Sequence, residues 1–227
     1  MSTPHPHTSR VAFAWSDAWK SRQFRVLALV TAVLLPVALR SLTVFLQSVE
    51  LRPGVVLPDP VLRLFEAHDV TWLTFGIIYI GLFAGIALLI PHPRHLMLAI
   101  NTYILMVIVR IAAMSLVALD PPEGAIPLQD PFVQYFGTGQ LLTRDLFFSG
   151  HTATLFLLGL SMRRKPLRVV YYAAAAAVGI CVLLQHDHYS IDVLAAPFFA
   201  YTVFRIACSV QRRAFGISPD TSPSLLT

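Results

Sequence analysis

The sequence predicts an all-α membrane protein, a bundle of six transmembrane helices with both termini in the cytoplasm. Three observations predict it. Of the 227 residues, 56% are hydrophobic and only 13% charged, whereas a soluble domain carries about 25% charged residues. The apolar residues gather into six runs, each approaching the roughly 20 residues with which a helix crosses a bilayer. The basic residues fall in alternate connections between those runs. A net charge of +5 invites a nucleic-acid reading, but the positive residues are not gathered on one polar face. No internal repeat and no low-complexity linker divides the apolar region, so it reads as one domain.

Taken in order, residues 1–23 are polar and basic and contain Trp15 and Trp19. They read as a cytoplasmic N-terminal tail with an interfacial segment, its tryptophans at headgroup level. Helix 1 is expected at 24–47. Its first half resembles a signal-peptide core, but the run continues past Arg40 with no small-x-small cleavage site, so it reads as a retained helix. Residues 48–69 form a loop containing Pro53-Gly54 and Leu57-Pro58-Asp59-Pro60. Helix 2 is the charge-free run 70–90, and Pro91-His92-Pro93-Arg94-His95 is a tight basic turn. Helix 3 follows at 96–119. Residues 120–144 form the longest loop, with prolines at 121, 122, 127 and 131. Helix 4 is expected at 145–162, ended by Arg163-Arg164-Lys165-Pro166. Helix 5 is expected at 169–185 and helix 6 at 189–210. The six helices make a membrane domain over 24–210, and 211–227 reads as a disordered cytoplasmic tail.

Six crossings place both termini on one side. That side collects Lys20, Arg22, Arg25, Arg94, Arg163, Arg164, Lys165, Arg168, Arg212 and Arg213. The opposite loops hold Arg52, Arg63 and Arg144 and most of the acidic residues. The excess of Lys and Arg marks the cytoplasmic side. Cys181 and Cys208 lie in different runs at depths about 24 Å apart, at about 1.5 Å per helical residue, too far for a disulfide.

Two polar segments interrupt the apolar pattern where helices 4 and 6 begin, on the non-cytoplasmic side. His188 and Asp192 are spaced i, i+4 and share a helix face. A carboxylate there fixes the tautomer of the imidazole and leaves its other nitrogen free as base or nucleophile. The bland alternative is a structural His–Asp bond, but a carboxylate near the hydrocarbon edge is costly unless it is used. His151 supplies a second imidazole, about two turns inside helix 4. Ser149 and Gly150 precede it at a helix start, where free amides attract anions and glycine allows close approach. Arg110 is intramembrane in helix 3 and needs an anionic partner, either a substrate phosphate or Asp192. Arg40 lies at a comparable depth in helix 1, and snorkelling to the headgroups accounts for it equally well. Asp145, Asp187 and Tyr189 flank the centre as auxiliary groups, with Asp145 placed to cap helix 4. His186 and His188 with two aspartates offer donors to a metal, but no third strong ligand cluster accompanies them. The reading carries no metal and no cofactor.

Asp145-Leu146-Phe147-Phe148-Ser149-Gly150-His151-Thr152 and His186-Asp187-His188-Tyr189-Ser190-Ile191-Asp192-Val193 resemble the two signature motifs of the sphingomyelin synthase family, a branch of the type 2 phosphatidic acid phosphatase-like superfamily. Leu57-Pro58-Asp59 resembles a third family motif and Arg110 the arginine of a fourth. The resemblance implies six membrane helices, an active site on the exoplasmic face and metal-independent transfer of a phospho-alcohol headgroup between lipids. Its His-His-Asp triad falls on His151, His188 and Asp192, with phosphate contacts at Ser149, Gly150 and Arg110. The implied partners are a glycerophospholipid donor and a ceramide or diacylglycerol acceptor within the bilayer, with a homo-oligomer compatible. The expected location is a bacterial inner membrane with the site on the extracytoplasmic face. Two departures stand out: Arg144 replaces a glycine of the first motif, and Pro197-Phe198 replaces an aromatic pair after the second. The alternative is a lipid phosphate phosphatase with water as acceptor. That larger superfamily carries a Lys-x6-Arg-Pro stretch and a Ser-Arg pair before the second histidine. Here Cys181 and Val182 occupy the Ser-Arg positions, and Lys20 and Lys165 are the only lysines. A non-catalytic channel or carrier would not account for two histidines and a carboxylate at one depth.

Overall fold

The structure is a computed structural model that describes residues 6–128 and 142–216. Among the described residues the chain forms seven α-helices and one 3-10 turn: α1 Pro6–Lys20, α2 Arg22–Glu50, the turn Leu62–Leu64, α3 Thr71–Leu89, α4 Pro93–Leu116, α5 Gly150–Ser161, α6 Lys165–Leu184 and α7 Ser190–Phe215. Five of them, α2, α3, α4, α6 and α7, are long and apolar enough to cross a membrane. Large apolar side chains such as Leu29, Trp72, Ile80, Leu194 and Phe198 point outward. So extensive an apolar exterior fits a surface solvated by hydrocarbon rather than water.

The helix expected at 145–162 begins five residues late. Residues 145–149 are not helical, because Phe147 holds φ at +126° and Ser149 is the N-cap, its hydroxyl accepting the Thr152 N–H at 3.4 Å. The result is a twelve-residue helix of about 18 Å, short of the roughly 30 Å hydrocarbon core. Other boundaries move for local reasons. α4 starts inside the stretch expected as a turn, since Pro93 stands at a helix start, where its missing N–H costs nothing. It ends at Leu116, because Val117 turns extended and Leu119 makes a parallel bridge with Val55. α7 runs unbroken through Pro197 to Phe215 and stops at Gly216 with φ +62°, so the first residues of the expected disordered tail are helical. Residues 217–227 lie outside the described residues, as do Asp130 and Pro131. α1 folds onto the bundle, with Trp15 Nε1 donating to the Ile90 carbonyl at 2.8 Å and Ala18 buried beside Phe24, Leu27 and Met97. Ser21 caps α2 by accepting the Phe24 N–H at 3.4 Å.

α5 is the centre of the bundle, packed chiefly on α6 and α7 and touching α3 and α4. Its Ala153, Leu155, Leu157 and Leu158 join Phe75, Ile78, Val178, Ala196 and Ala200 in the main core. Contacts identify the two ends. At one, Phe215 packs with the α1–α2 cluster, and Arg163 Nη1 lies 3.2 Å from His92 Nδ1, joining the α3–α4 and α5–α6 turns. Both termini of the described chain therefore lie at that end. The other end carries the connecting segments 51–70, 117–128, 142–149 and 185–189, and the candidate site lies beneath them.

Candidate active site

His188 lies between α6 and α7, one residue before the N-cap Tyr189, and not within the helix as expected. The i, i+4 contact nevertheless forms. His188 Nδ1 is 3.3 Å from Asp192 Oδ2, and the same oxygen accepts the Tyr189 N–H at 3.3 Å. Asp192 is the third residue of α7 and reaches back over the helix start, so one carboxylate satisfies an orphan amide and orients the imidazole. Both residues are buried. Nε2 of His188 faces Asp187, whose Oδ2 is 4.0 Å away, beyond hydrogen-bonding distance. Asp187 is held by the Leu128 N–H, which donates to its Oδ1 at 3.2 Å. Burial disfavours the His188 imidazolium, but the hydrogen bond it donates to Asp192 and the charges of Asp187 and Asp192 outweigh it. The pKa of His188 therefore stands above the ordinary histidine value.

His151 is the second residue of α5, in its first turn rather than two turns inside. Its ring packs edge-on to Phe75 at 6.0 Å, and among the described residues its buried Nδ1 has no hydrogen-bond partner. Ser149 is fully buried and its hydroxyl oxygen caps the helix. That leaves the amides of Gly150 and His151 at the helix start without an intrahelical acceptor. The two motifs are stitched together directly, the Ser149 N–H donating to the Asp192 carbonyl at 3.2 Å.

Arg110 pairs with Asp145 and not with Asp192. Nη2 donates to Asp145 Oδ1 at 2.7 Å and to the Asp145 carbonyl at 3.2 Å, and Nε donates to Oδ1 at 3.2 Å. Asp145 consequently does not cap α5. A buried arginine stripped of its partner costs several kcal/mol, so this pair fixes the extended segment ahead of α5. The guanidinium lies 5.5 Å from the Phe148 ring centroid, and Phe148 stacks on Phe199 at 4.8 Å. Nη1 is pressed against Gly150, where an added Cβ would sit 1.7 Å from it. Arg40, by contrast, is exposed on α2. His151 thus has His188, Asp187, Arg110 and Asp145 as its electrostatic neighbours. The two imidazoles, Asp187 and the Arg110 guanidinium thus share one electrostatic neighbourhood, with Asp192 beside His188.

The C-terminal stretch 144–209 matches the family described as PAP2 superfamily C-terminal. Human phosphatidylcholine:ceramide cholinephosphotransferase 2 is 38% identical over 64 residues, covering 26% of this chain and 18% of that protein. The Macaca fascicularis protein of that name is 36% identical over the same length, with the same coverage. A Caenorhabditis elegans relative numbered 3 in the series is 36% identical over 73 residues, 30% of this chain and 22% of its own. The matched stretch thus spans about a fifth of the relatives' length. These similarities support the resemblance to the sphingomyelin synthase family. No solved structure matches the chain.

The matched stretch contains His151, His188, Asp192 and Asp145, but Arg110 lies outside it on α4. Contacts whose part the sequence did not disclose tie this stretch to residues outside it. Tyr189 is buried; its phenol accepts the Leu57 N–H at 3.0 Å and donates to the Asp120 carbonyl at 2.8 Å. Arg144, the departure from the family's glycine, donates through Nε to Asp120 Oδ1 at 2.6 Å and through Nη1 to the Glu50 carbonyl. The Glu50 carboxylate in turn accepts the Arg144 N–H at 2.6 Å and the Thr143 hydroxyl at 3.0 Å. No local pattern marks these contacts, whose partners stand 24 to 132 positions apart. Two strained backbones mark the same region. Phe147, with φ +126°, and His186, with φ +53°, are the non-glycine residues with positive φ among those described. They precede His151 and His188 by four and two positions. Such strain concentrates at functional sites.

Proposed function

We propose that the chain is a membrane headgroup transferase, moving a phospho-alcohol group such as phosphocholine or phosphoethanolamine from a glycerophospholipid to the hydroxyl of ceramide or diacylglycerol. The convergence of His151, the His188–Asp192 pair and Arg110 at one depth carries this reading. The names of the relatives support headgroup transfer to ceramide within it. Asp192 holds the Nδ1 proton of His188, leaving the Nε2 lone pair to attack phosphorus. The bond from phosphorus to the glycerol oxygen breaks, and that oxygen takes a proton from the His151 imidazolium, releasing diacylglycerol. The headgroup phosphate rests on His188 as a phosphoramidate. Neutral His151 then removes the proton of the acceptor hydroxyl, whose oxygen attacks phosphorus while the P–N electrons return to His188. Arg110 and the Gly150 and His151 amides stabilise the phosphoryl oxygens, and Ser149, Asp145, Asp187 and Tyr189 hold these groups in place.

In this reading α5, together with the segment before it, makes the sixth crossing. The basic end of the bundle lies in the cytoplasm, and the site faces the extracytoplasmic leaflet of a plasma membrane. Both lipids keep their tails in the bilayer while headgroups exchange. The test is His188→Ala in proteoliposomes containing labelled phosphatidylcholine and ceramide. Loss of all label transfer is expected; exchange at the unmodified rate would overturn the mechanism.

A further inference from the structure

The residues between His188 and Asp192 are gripped from outside their own helix. Tyr189 occupies the N-cap position of α7, where Ser, Thr, Asp or Asn ordinarily stands. Its phenol is spent instead on the 51–62 loop and on Asp120. Ser190 is the first residue of α7, and its N–H donates to Asp59 Oδ2 at 2.6 Å while its hydroxyl donates to Asp59 Oδ1 at 3.1 Å. Asp59 Oδ1 also accepts the N–H groups of Val61 at 2.9 Å and Leu62 at 3.3 Å. One buried carboxylate therefore caps the 3-10 turn and the first orphan amide of a helix 131 positions later. A negative group is favoured at that helix end on charge grounds as well.

His188 lies outside α7, so helix geometry alone does not fix its distance to Asp192. The contact depends on the path of Tyr189 and Ser190. Both are pinned to one strap, through the Leu57 N–H and Asp59. Leu62 and Tyr189 pack in a small core with Leu119 and Leu146, backed by Leu57 and Phe65, which ties the strap to the segment leading into α5 as well.

We propose that Asp59 is a positioning residue, which through Ser190 and Tyr189 holds the His188–Asp192 pair in register with His151. The inference rests on the transferase reading for its kinetic consequence only. Hydrogen–deuterium exchange of the full-length protein in detergent tests the positioning without any activity. In Asp59→Ala, amides of 186–193 exchange at least about tenfold faster, while those of α4 and α5 are unchanged, because the opening is local. The kinetic arm predicts a fall in kcat of about 10- to 100-fold with KM within about threefold, the cost of misplacing reacting groups by an ångström or less. Asp59→Asn keeps one oxygen acceptor and recovers part of that loss. The acid limb of kcat moves to lower pH in Asp59→Ala as the His188–Asp192 contact loosens, a change that a purely structural role would not produce. If Asp59→Ala does not fold, Ser190→Ala, which removes one bond, shows the same local exchange in smaller measure. Unchanged exchange at 186–193 in folded Asp59→Ala, or a loss confined to KM, overturns the inference. Failure of the transferase reading would appear separately, as a fully active His188→Ala protein, and would leave the exchange result standing.

Discussion

At the scale of single residues, His188 carries the sharpest expectation. Its pKa lies above the ordinary histidine value because the Asp192 hydrogen bond and the charges of Asp187 and Asp192 outweigh burial. In the proposed mechanism attack on phosphorus needs an unprotonated Nε2, so activity is expected to rise with pH through that elevated pKa, above the ordinary value of about 6.5. The stability contribution has the opposite course. It is complete below the unfolded histidine's pKa and is lost as pH rises through the folded value. In Asp192→Asn the acid limb of the kcat profile moves to lower pH, and the plateau falls by about 10²- to 10⁴-fold. A pH–rate series on both proteins in the same lipid checks this; an unmoved limb would exclude Asp192 as the partner that sets the His188 pKa. His151, His188 and Asp192 were legible in the sequence because each is a polar residue placed where an apolar run begins. Asp145 as the partner of Arg110 was not, since the two are 35 positions apart and only the fold decides which carboxylate reaches the guanidinium. Asp59 was visible as part of a motif, but its bond to Ser190 is longer-range still.

At the scale of elements, the approach of α4 to the start of α5 depends on one glycine. Arg110 Nη1 occupies the space a side chain would take at Gly150, with its other nitrogens tied to Asp145. Gly150→Ala therefore drives either the guanidinium off Asp145 or α5 off α4. Overpacking of this kind costs about 1–3 kcal/mol, and displacement of the anion-binding groups lowers headgroup transfer by about 100-fold or more. Thermal unfolding and transfer rates measured on the same preparation check the pair; wild-type transfer in Gly150→Ala would exclude this close approach. A similar constraint holds at Gly179, whose added Cβ would sit 2.7 Å from Val193 Cγ1, beside Asp192. The five long helices were legible to within a few residues because their length and apolarity are local properties. The late start of α5 was not. Leu146, Phe147 and Phe148 continue the apolar pattern without a break, and the chain is held extended there by tertiary contacts: Arg110 on the Asp145 carbonyl, Glu50 on Thr143 and Arg144, and the Ser149 amide on α7.

At the scale of the whole molecule, the short α5 is what makes the chain's path consistent. α4 and α6 both run from the basic end to the site end, as the proximity of His92 to Arg163 requires. The chain must therefore return between them, and α5 with its extended lead-in makes that return. Arg110 lies six residues before the end of α4 and Phe75 four residues after the start of α3, so the site sits about 6–9 Å below those helix ends at 1.5 Å per residue. That depth is where a headgroup phosphate meets hydrocarbon while its acyl chains remain in the bilayer. The ends differ in charge as well. Lys20, Arg22, Arg25, Arg94, Arg163, Arg164, Lys165 and Arg168 cluster at one, and Glu50, Asp59, Glu66, Asp69, Asp120 and Glu123 at the other. Short basic connections are retained in the cytoplasm, so the proposed topology has the site facing outward. With Cys181 and Cys208 replaced by alanine, a single cysteine at the exposed Arg63 position is expected to react with a membrane-impermeant maleimide in intact cells. One at the exposed Arg164 position is expected to react only after the membrane is opened. The reverse pattern would put the site in the cytoplasm, and donor and acceptor lipids would then have to come from the inner leaflet.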